Sequence, residues 1–415
     1  MTDNRCMTAR IALVGDAPAP PSLPQAGAGV ETRWFAALGL RVEDLQGADG
    51  IWVEGPGTSA AAGPVLEWAR GAGIPVGGPD PGPWGAEGLP PAFVDAARAR
   101  AHWREQAQAR VAAERARAAA EALPRPYVHQ MRGPRHRWWR PLLWALVFTL
   151  AYLLLSTVVG LAFFLTGALS VSDLESLDSA VSLVVLNVTL ILLVPATFLA
   201  SWAAYRRSPW RVFSVAGRLR WGWLGRCLLL ALPVWVVYLV LSWVVFGQEV
   251  LPRPEQWVGM LASALLLTPL QAAAEEVFFR GGVVQAVGAW VRRPLVALVV
   301  SGVVSTVLFT AAHGSTDPWI AAELASFAVL GCYLTWRTGG LEAAIALHVV
   351  NNVLIMVVGV LLGGLDASFV DTESTGSPLS TGLSWLVALV ATLLVLRHGR
   401  RTGVVPAGRL TPAVG

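Results

Sequence analysis

The chain has 415 residues, of which 55% are hydrophobic and only 14% are charged, and 19 are tryptophans. This composition excludes an ordinary soluble domain, in which about a quarter of the residues are charged. The basic residues are all arginines and the formal net charge is +4. They form no compact basic patch with interleaved aromatic residues, which excludes a typical nucleic-acid binding protein. The composition therefore predicts an integral membrane protein whose partner is the lipid bilayer.

Residues 1–95 are predicted to form a small cytoplasmic α/β domain, since the opening run is too short and too polar on its flanks for a signal peptide. The strand-like segments RIALVG, GIWVEG and IPVGG alternate with the helix-like segments ETRWFAALGL and GPVLEWARGAG. This order is typical of a parallel sheet. Residues 9–77 resemble the start of a class I glutamine amidotransferase-like domain of the CTP synthase relatives. The resemblance implies a nucleophilic cysteine after IPV, but GGPDPGPW stands there, which predicts a regulatory or vestigial module.

Residues 96–140 are predicted to be a solvated linker helix rich in Arg and Ala, followed by an interfacial segment. The helix has Arg and Glu at spacings that allow ion pairs between successive turns. Four arginines then flank two tryptophans next to an apolar run: Arg132, Arg135, Arg137, Trp138, Trp139 and Arg140. Arginine and tryptophan together are typical of the cytoplasmic membrane interface. We expect the first 125 residues to be dispensable for any chemistry of the part that follows.

Residues 141–400 are predicted to form an α-helical polytopic membrane domain, and residues 401–415 a cytoplasmic tail. A helix needs roughly 20 apolar residues to span a bilayer, and eight such runs occur, at about 141–166, 180–203, 227–247, 257–280, 294–312, 319–336, 341–362 and 379–396. Arginines fill the even-numbered loops and carboxylates the odd-numbered ones, apart from Arg253. This alternation predicts a multi-pass protein of the plasma membrane with both termini cytoplasmic.

Few ionisable residues lie inside these spans, namely Glu275, Glu276, Arg280, His313, Glu323, Glu342 and His348. A charge at the bilayer centre costs about 2.5–3.5 kcal/mol on insertion scales, so these residues are expected to face a protein interior or water. Glu276 and Arg280 are four residues apart on one helical face and can pair. Glu275 is turned about 100° away and remains a free carboxylate. Glu342 is expected near the inner interface.

Two histidines and an amide complete a candidate water site. His313 follows Phe309 by four residues, and His348 precedes Asn352 by four, which places each pair on one helical face. A glutamate could act as general base on a water held by these groups. Alternatively, His313 and His348 could hold a zinc ion that lowers the pKa of the water. Each residue taken alone is better explained as a structural contact between helices, and only the set favours hydrolysis.

The three motifs EEVFFR, FTAAH and HVVNN, on successive predicted spans, resemble the CAAX protease and bacteriocin-processing family of type II CAAX prenyl endopeptidase-like intramembrane metalloproteases. The resemblance covers residues 140–400. It implies that Glu275 and His313 activate the attacking water, while His348 and Asn352 hold that water, a metal or the oxyanion. Glu276, Arg280 and Phe309 would support them. The motifs leave the use of zinc open.

The leading hypothesis is therefore an intramembrane peptidase that acts on a membrane-associated peptide or protein substrate. A membrane binding or immunity-type protein with the same polar pocket, and a proton-coupled transporter, are the alternatives. Transporters often have internal repeats, and the first four spans show no similarity to the last four. A difficulty concerns depth, because straight helices would place Glu275 and His313 further from the arginine-rich loops than His348. We expect Gly281 and Gly282 to end the fourth span early, which would bring these residues to the same depth.

Overall fold

The computed structural model describes residues 8–15, 30–37, 40–53, 62–78, 90–122, 125–133, 136–168, 170, 179–365, 369–370, 372 and 374–404. The chain divides into two compact units, Met1–Ala120 and Glu121–Gly415. The first contains a small parallel sheet and the second a bundle of apolar helices. This agrees with the predicted fold class of a polytopic helical protein with an N-terminal α/β domain.

The sheet of the first unit has four parallel strands in the order β2-β1-β3-β4. The strands are β1 (Ala9–Gly15), β2 (Val30–Ala36), β3 (Gly50–Val53) and β4 (Val76–Gly77), and helix α1 spans Gly63–Gly71. The prediction of a helix over residues 31–40 is wrong, since β2 occupies most of that range. Its β-branched and aromatic residues, Val30, Thr32, Trp34 and Phe35, suit a pleated strand beside β1. Residues 79–84, where the amidotransferase nucleophile is missing, lie outside the described residues.

Helix α2 (Pro91–Ala122) begins before the predicted linker. Its first turns bury Val94, Ala97 and Ala101 in the same apolar cluster as Ile11 and Leu13 of β1. The start of this helix therefore belongs to the core of the first unit, because these small apolar side chains recur at helical spacing on one face.

Among the described residues of the second unit, eight helices are long and apolar enough to span a membrane: α3 (Arg140–Leu165), α4 (Ala180–Tyr205), α5 (Trp221–Phe246), α6 (Trp257–Gly288), α7 (Pro294–Ala312), α8 (Pro318–Thr338), α9 (Glu342–Leu362) and α10 (Pro378–Arg401). The predicted spans are confirmed. Large apolar side chains such as Leu229 and Val244 are 74% exposed on its surface. An apolar outer surface on helices that satisfy their own backbone hydrogen bonds is what a bilayer requires.

The prediction that Gly281 and Gly282 end the fourth span is wrong, since α6 continues to Gly288 through a π-helical segment, Val277–Val283. Both glycines are buried, and a Cβ atom would overlap Val212 at Gly281 and Trp144 at Gly282. Glycine at these two positions therefore allows α6 to pack closely against its neighbours. Within the segment, the Ser305 hydroxyl donates a 2.9 Å hydrogen bond to the Phe279 carbonyl. π-helical turns inside α-helices are frequent at functional sites.

The turn between α8 and α9 explains how His348 reaches the same depth as the glutamates. Backbone hydrogen bonds join this turn to the loop between α4 and α5, from Val215 N to Gly339 O (2.9 Å) and from Leu341 N to Phe213 O (2.8 Å). The loop covers the turn, so Glu342 is fully buried and forms a 2.7 Å ion pair with Arg220. The expectation that Glu342 lies near the inner interface stays a prediction, because burial against Arg220 gives no depth in a bilayer. Helix α9 begins inside the protein, which brings His348 level with the glutamates.

Residues 126–132, predicted as part of the linker, pack into the helical unit. Tyr127, Val128 and Met131 are at most 4% exposed. The Tyr127 hydroxyl donates to the Val212 carbonyl, and His129 donates from Nε2 to the Val291 carbonyl at 2.9 Å. Burial lowers the pKa of His129, which keeps the imidazole neutral. This segment anchors the connection between α6 and α7.

A chain truncated to begin at Glu121 is expected to insert and fold, because it keeps this segment. A chain that begins at Gly133 is expected to yield several-fold less folded protein, since burial of Tyr127, Val128 and Met131 contributes about 2 kcal/mol for each side chain. The folded fraction in mild detergent, measured by size-exclusion chromatography, tests the pair. Equal yields from both truncations would contradict the anchoring role.

Candidate active site

Glu276 is the centre of a buried polar cluster on α6. Its Oε1 lies 3.0 Å from Arg280 Nη1 and 2.8 Å from His348 Nδ1. The side chains of Glu276 and Arg280 are 1% and 0% exposed. The predicted pairing of these two residues is therefore present, and it exists because a spacing of four places them on one helical face. A buried carboxylate needs such partners, since an unpaired buried charge is costly.

Glu275 points away from Arg280 and occupies a different environment. Its Oε1 accepts a hydrogen bond from the amide of Gln271, one turn earlier on α6. Its Oε2 is buried and has no hydrogen-bond partner among the described residues. Gln271 is an addition to the predicted set, and its spacing of four from Glu275 is the signal that identifies it. The structure thus leaves one carboxylate oxygen of Glu275 for a bound group.

His348 joins the two glutamates from α9. Because the Glu276 carboxylate can only accept, Nδ1 of His348 carries the hydrogen of the 2.8 Å contact. Nε2 then faces Glu275 Oε2 at 3.7 Å. The ring is held edge-to-face by Phe309 and Phe327, with centroid distances of 6.0 and 5.3 Å. The tautomer and the orientation of His348 are therefore both set by buried partners.

Phe309 connects the remaining predicted residues. Its buried ring lies under the Arg280 guanidinium, 4.3 Å from Cζ to the ring centroid, in a cation–π contact. The ring of His313 lies 4.6 Å from the same centroid. Nδ1 of His313 donates to the Phe309 carbonyl at 2.8 Å, which leaves its Nε2 without the hydrogen in the neutral ring. His313 itself is half-buried at the end of α7.

Asn352 lies one helical turn after His348 on α9 and is half-buried. Its Oδ1 accepts a 3.0 Å hydrogen bond from Asn351 Nδ2. Two further carboxylates of the predicted set lie elsewhere. Glu342 binds Arg220, as described above, and Glu323 on α8 lies near Ser384 of α10. The structure therefore gathers Glu275, Glu276 and His348 and leaves Glu323 and Glu342 outside this cluster.

The predicted zinc ligands, His313 and His348, are not joined by a third His, Cys, Asp or Glu that would complete a metal site among the described residues. Among the described residues, no group of three or more His, Cys, Asp or Glu is arranged to hold one metal ion. Nδ1 of both His313 and His348 is engaged in a hydrogen bond, so Nε2 is the ring nitrogen of each that could bind a metal. Glu276 is engaged with Arg280. Structural and catalytic zinc sites commonly use three or four protein ligands.

Comparison with known proteins concerns the segment that carries these residues. Residues 254–354 match the family described as type II CAAX prenyl endopeptidase Rce1-like. The uncharacterized protein YyaK of Bacillus subtilis (strain 168) is 31% identical over 130 residues, which make up 30% of this chain and 43% of YyaK. The chain thus matches less than half of that relative, and no solved structure matches the chain. Residues 254–354, which contain both glutamates and both histidines, are thus similar to the Rce1-like type II CAAX prenyl endopeptidase family.

Proposed function

We propose that this chain is an intramembrane endopeptidase that hydrolyses a peptide bond of a membrane-associated protein or peptide. The observation that carries the proposal is the 3.7 Å distance between His348 Nε2 and Glu275 Oε2, a buried oxygen that has no hydrogen-bond partner in the described part of the chain. This distance is too long for a direct hydrogen bond. One water molecule beside the two atoms can donate a hydrogen bond to each, which is the arrangement a general base requires.

In the proposed reaction the water oxygen attacks the peptide carbonyl carbon while Glu275 accepts the proton of the water. The negative charge that develops on the carbonyl oxygen is stabilised by the amide of Asn352. Collapse of the tetrahedral intermediate breaks the carbon–nitrogen bond, and the proton on Glu275 passes to the leaving amine. His313, whose Nε2 is the unprotonated nitrogen, is available as a second proton acceptor. Glu276 and Arg280 hold His348 in place.

The arginines at the helix ends indicate where the protein is located and how it is oriented. We expect a multi-pass protein of the plasma membrane with cytoplasmic termini, because arginines lie in the last turns of α8 and α10 and just after α4 and α6, and arginines are typical of the cytoplasmic side. The substrate would reach the site from the bilayer or its surface. The first unit, with its parallel sheet, has no assigned part in the chemistry.

The proposal is tested by terminal-peptide mass spectrometry on membranes of the native host. Cells with the wild-type protein are compared with cells that lack it and with cells that contain the Glu275→Gln protein at the same level. We expect new peptide termini in the wild type alone, and these would name the substrate. Identical termini in all three, over a range of growth conditions and with both proteins folded, would overturn the proposal in favour of a binding or immunity-type protein.

A further inference from the structure

A chain of hydrogen bonds on the side of α9 that faces α5 ends at Asn352. Trp235 of α5 is 2% exposed, and its Nε1 donates a 2.9 Å hydrogen bond to Asn351 Oδ1. Asn351 Nδ2 then donates to Asn352 Oδ1 at 3.0 Å. Helices α5 and α9 pack along their length, so Trp235 and Asn351 are held close by the bundle itself. The chain leads from a buried residue outside the three sequence motifs to a residue inside one of them.

The direction of this chain is fixed by chemistry. An indole nitrogen is a donor only, so the atom of Asn351 that faces Trp235 must be the oxygen. The amide nitrogen of Asn351 consequently faces Asn352, and the atom of Asn352 that meets it must be the oxygen. The two hydrogens on Asn352 Nδ2 therefore remain for another acceptor, and among the described residues no protein atom accepts them. Trp235 thus decides which end of the Asn352 amide is presented.

This orientation matters for a developing oxyanion. A carboxamide that is free to rotate by half a turn can present either a donor or an acceptor, and the two ends have nearly the same shape. A donor stabilises negative charge on a carbonyl oxygen, whereas an amide oxygen in the same place would repel it. Preorganised donors are effective because they need no rearrangement when the charge forms.

We propose that Trp235 and Asn351 are positioning residues that hold the Asn352 amide with its NH₂ group toward the reacting carbonyl oxygen. This inference rests on the proposed peptidase function and goes beyond it, because neither residue belongs to the glutamate and histidine cluster. The two residues act through Asn352 and contact no reacting atom.

The test measures the initial rate at which Glu275-dependent termini appear in isolated host membranes at equal protein level. Trp235→Phe removes the donor and keeps an aromatic ring, and we expect a rate about tenfold lower, part of the loss known for removing an oxyanion donor. Trp223→Phe is the matched control. Trp223 is also buried on α5, at 4% exposure, and its Nε1 has no hydrogen-bond partner among the described residues. Its substitution is expected to change the rate less than twofold.

A double variant separates positioning from packing. Asn351→Ala breaks the same chain and is also expected to lower the rate about tenfold. Because the chain is then already broken, adding Trp235→Phe should cost nothing further. Asn351 is half-buried, so its replacement should disturb packing little. If Trp235→Phe reduces the amount of folded protein, the rate of Asn351→Ala is compared with that of Trp223→Phe instead.

Three results would overturn the inference, and they are distinguishable. Rates for Trp235→Phe and Asn351→Ala within twofold of wild type, with Glu275→Gln inactive, would remove the positioning role and leave the peptidase intact. Losses that multiply to about a hundredfold in the double variant would indicate two independent packing defects. Wild-type membranes without any Glu275-dependent termini would remove the peptidase function, and the positioning role with it.

Discussion

The Glu275→Gln protein is expected to cleave its substrate about 10³-fold more slowly than the wild type while remaining folded. General base catalysis contributes about 10²–10⁴-fold, and an amide at this position cannot accept a proton from water. The fold should tolerate the change, because Glu275 forms no ion pair with Arg280 and its Oε1 only accepts a hydrogen bond from the amide of Gln271. Glutamine supplies that acceptor. Purified proteins, compared at equal concentration on the substrate identified by its termini, provide the measurement.

The same substitution at the neighbouring residue, Glu276→Gln, is expected to have a different effect. Glu276→Gln keeps an acceptor for His348 Nδ1 but leaves the buried Arg280 without its counterion, so its defect is expected first in stability. A Glu275→Gln protein that retains more than a tenth of the wild-type rate would contradict the assignment of Glu275 as the base. Unfolding of Glu275→Gln at a clearly lower temperature than the wild type would contradict its separation from the structural pair.

Replacing Arg280 by leucine is expected to destabilise the helical unit by about 3–5 kcal/mol, the usual cost of leaving one partner of a buried ion pair alone. The Arg280 side chain is 0% exposed, and its removal leaves the Glu276 carboxylate facing only His348. It also removes the cation from the Phe309 ring, which contributes about another 0.5–2 kcal/mol. The midpoint of unfolding of the detergent-solubilised protein measures the loss.

The double variant Glu276→Gln/Arg280→Leu is the matched control for this prediction. It buries no charge and still offers His348 Nδ1 an acceptor, so we expect it to recover at least half of the stability lost in Arg280→Leu. Replacing a buried pair by uncharged groups is often neutral, whereas breaking one is not. A double variant no more stable than Arg280→Leu would show that the guanidinium acts by filling space. An Arg280→Leu protein as stable as the wild type would show that the pair contributes nothing to the free energy of unfolding.

The helical part of the fold was predictable because each span is a long apolar run and the loops alternate in charge. The Glu276–Arg280 pair was predictable as well, since it depends only on a spacing within one helix. The strand β2 was missed although its β-branched and aromatic residues suit a strand. Its pairing with β1 is a contact between segments that spacing within residues 30–36 does not give.

The partners of the site residues that come from other helices were also beyond prediction. His348 reaches Glu276 because the turn before α9 is buried under the loop that holds Arg220, and no count of residues along α9 includes that burial. Trp235 reaches Asn351 only through the packing of α5 on α9. Contacts between spans depend on rotation and depth in the bundle, which spacing within one span does not fix.

The most direct measurement of the central claim follows the oxygen of water. Membranes with the wild-type protein are incubated in water enriched in oxygen-18, and the carboxyl termini newly formed from the substrate are examined by mass spectrometry. The proposed reaction predicts the heavy oxygen in those new carboxylates with the wild type and no new carboxylates with Glu275→Gln. Carboxylates formed equally with both proteins, or new termini that lack the heavy oxygen, would contradict hydrolysis by a water that Glu275 activates.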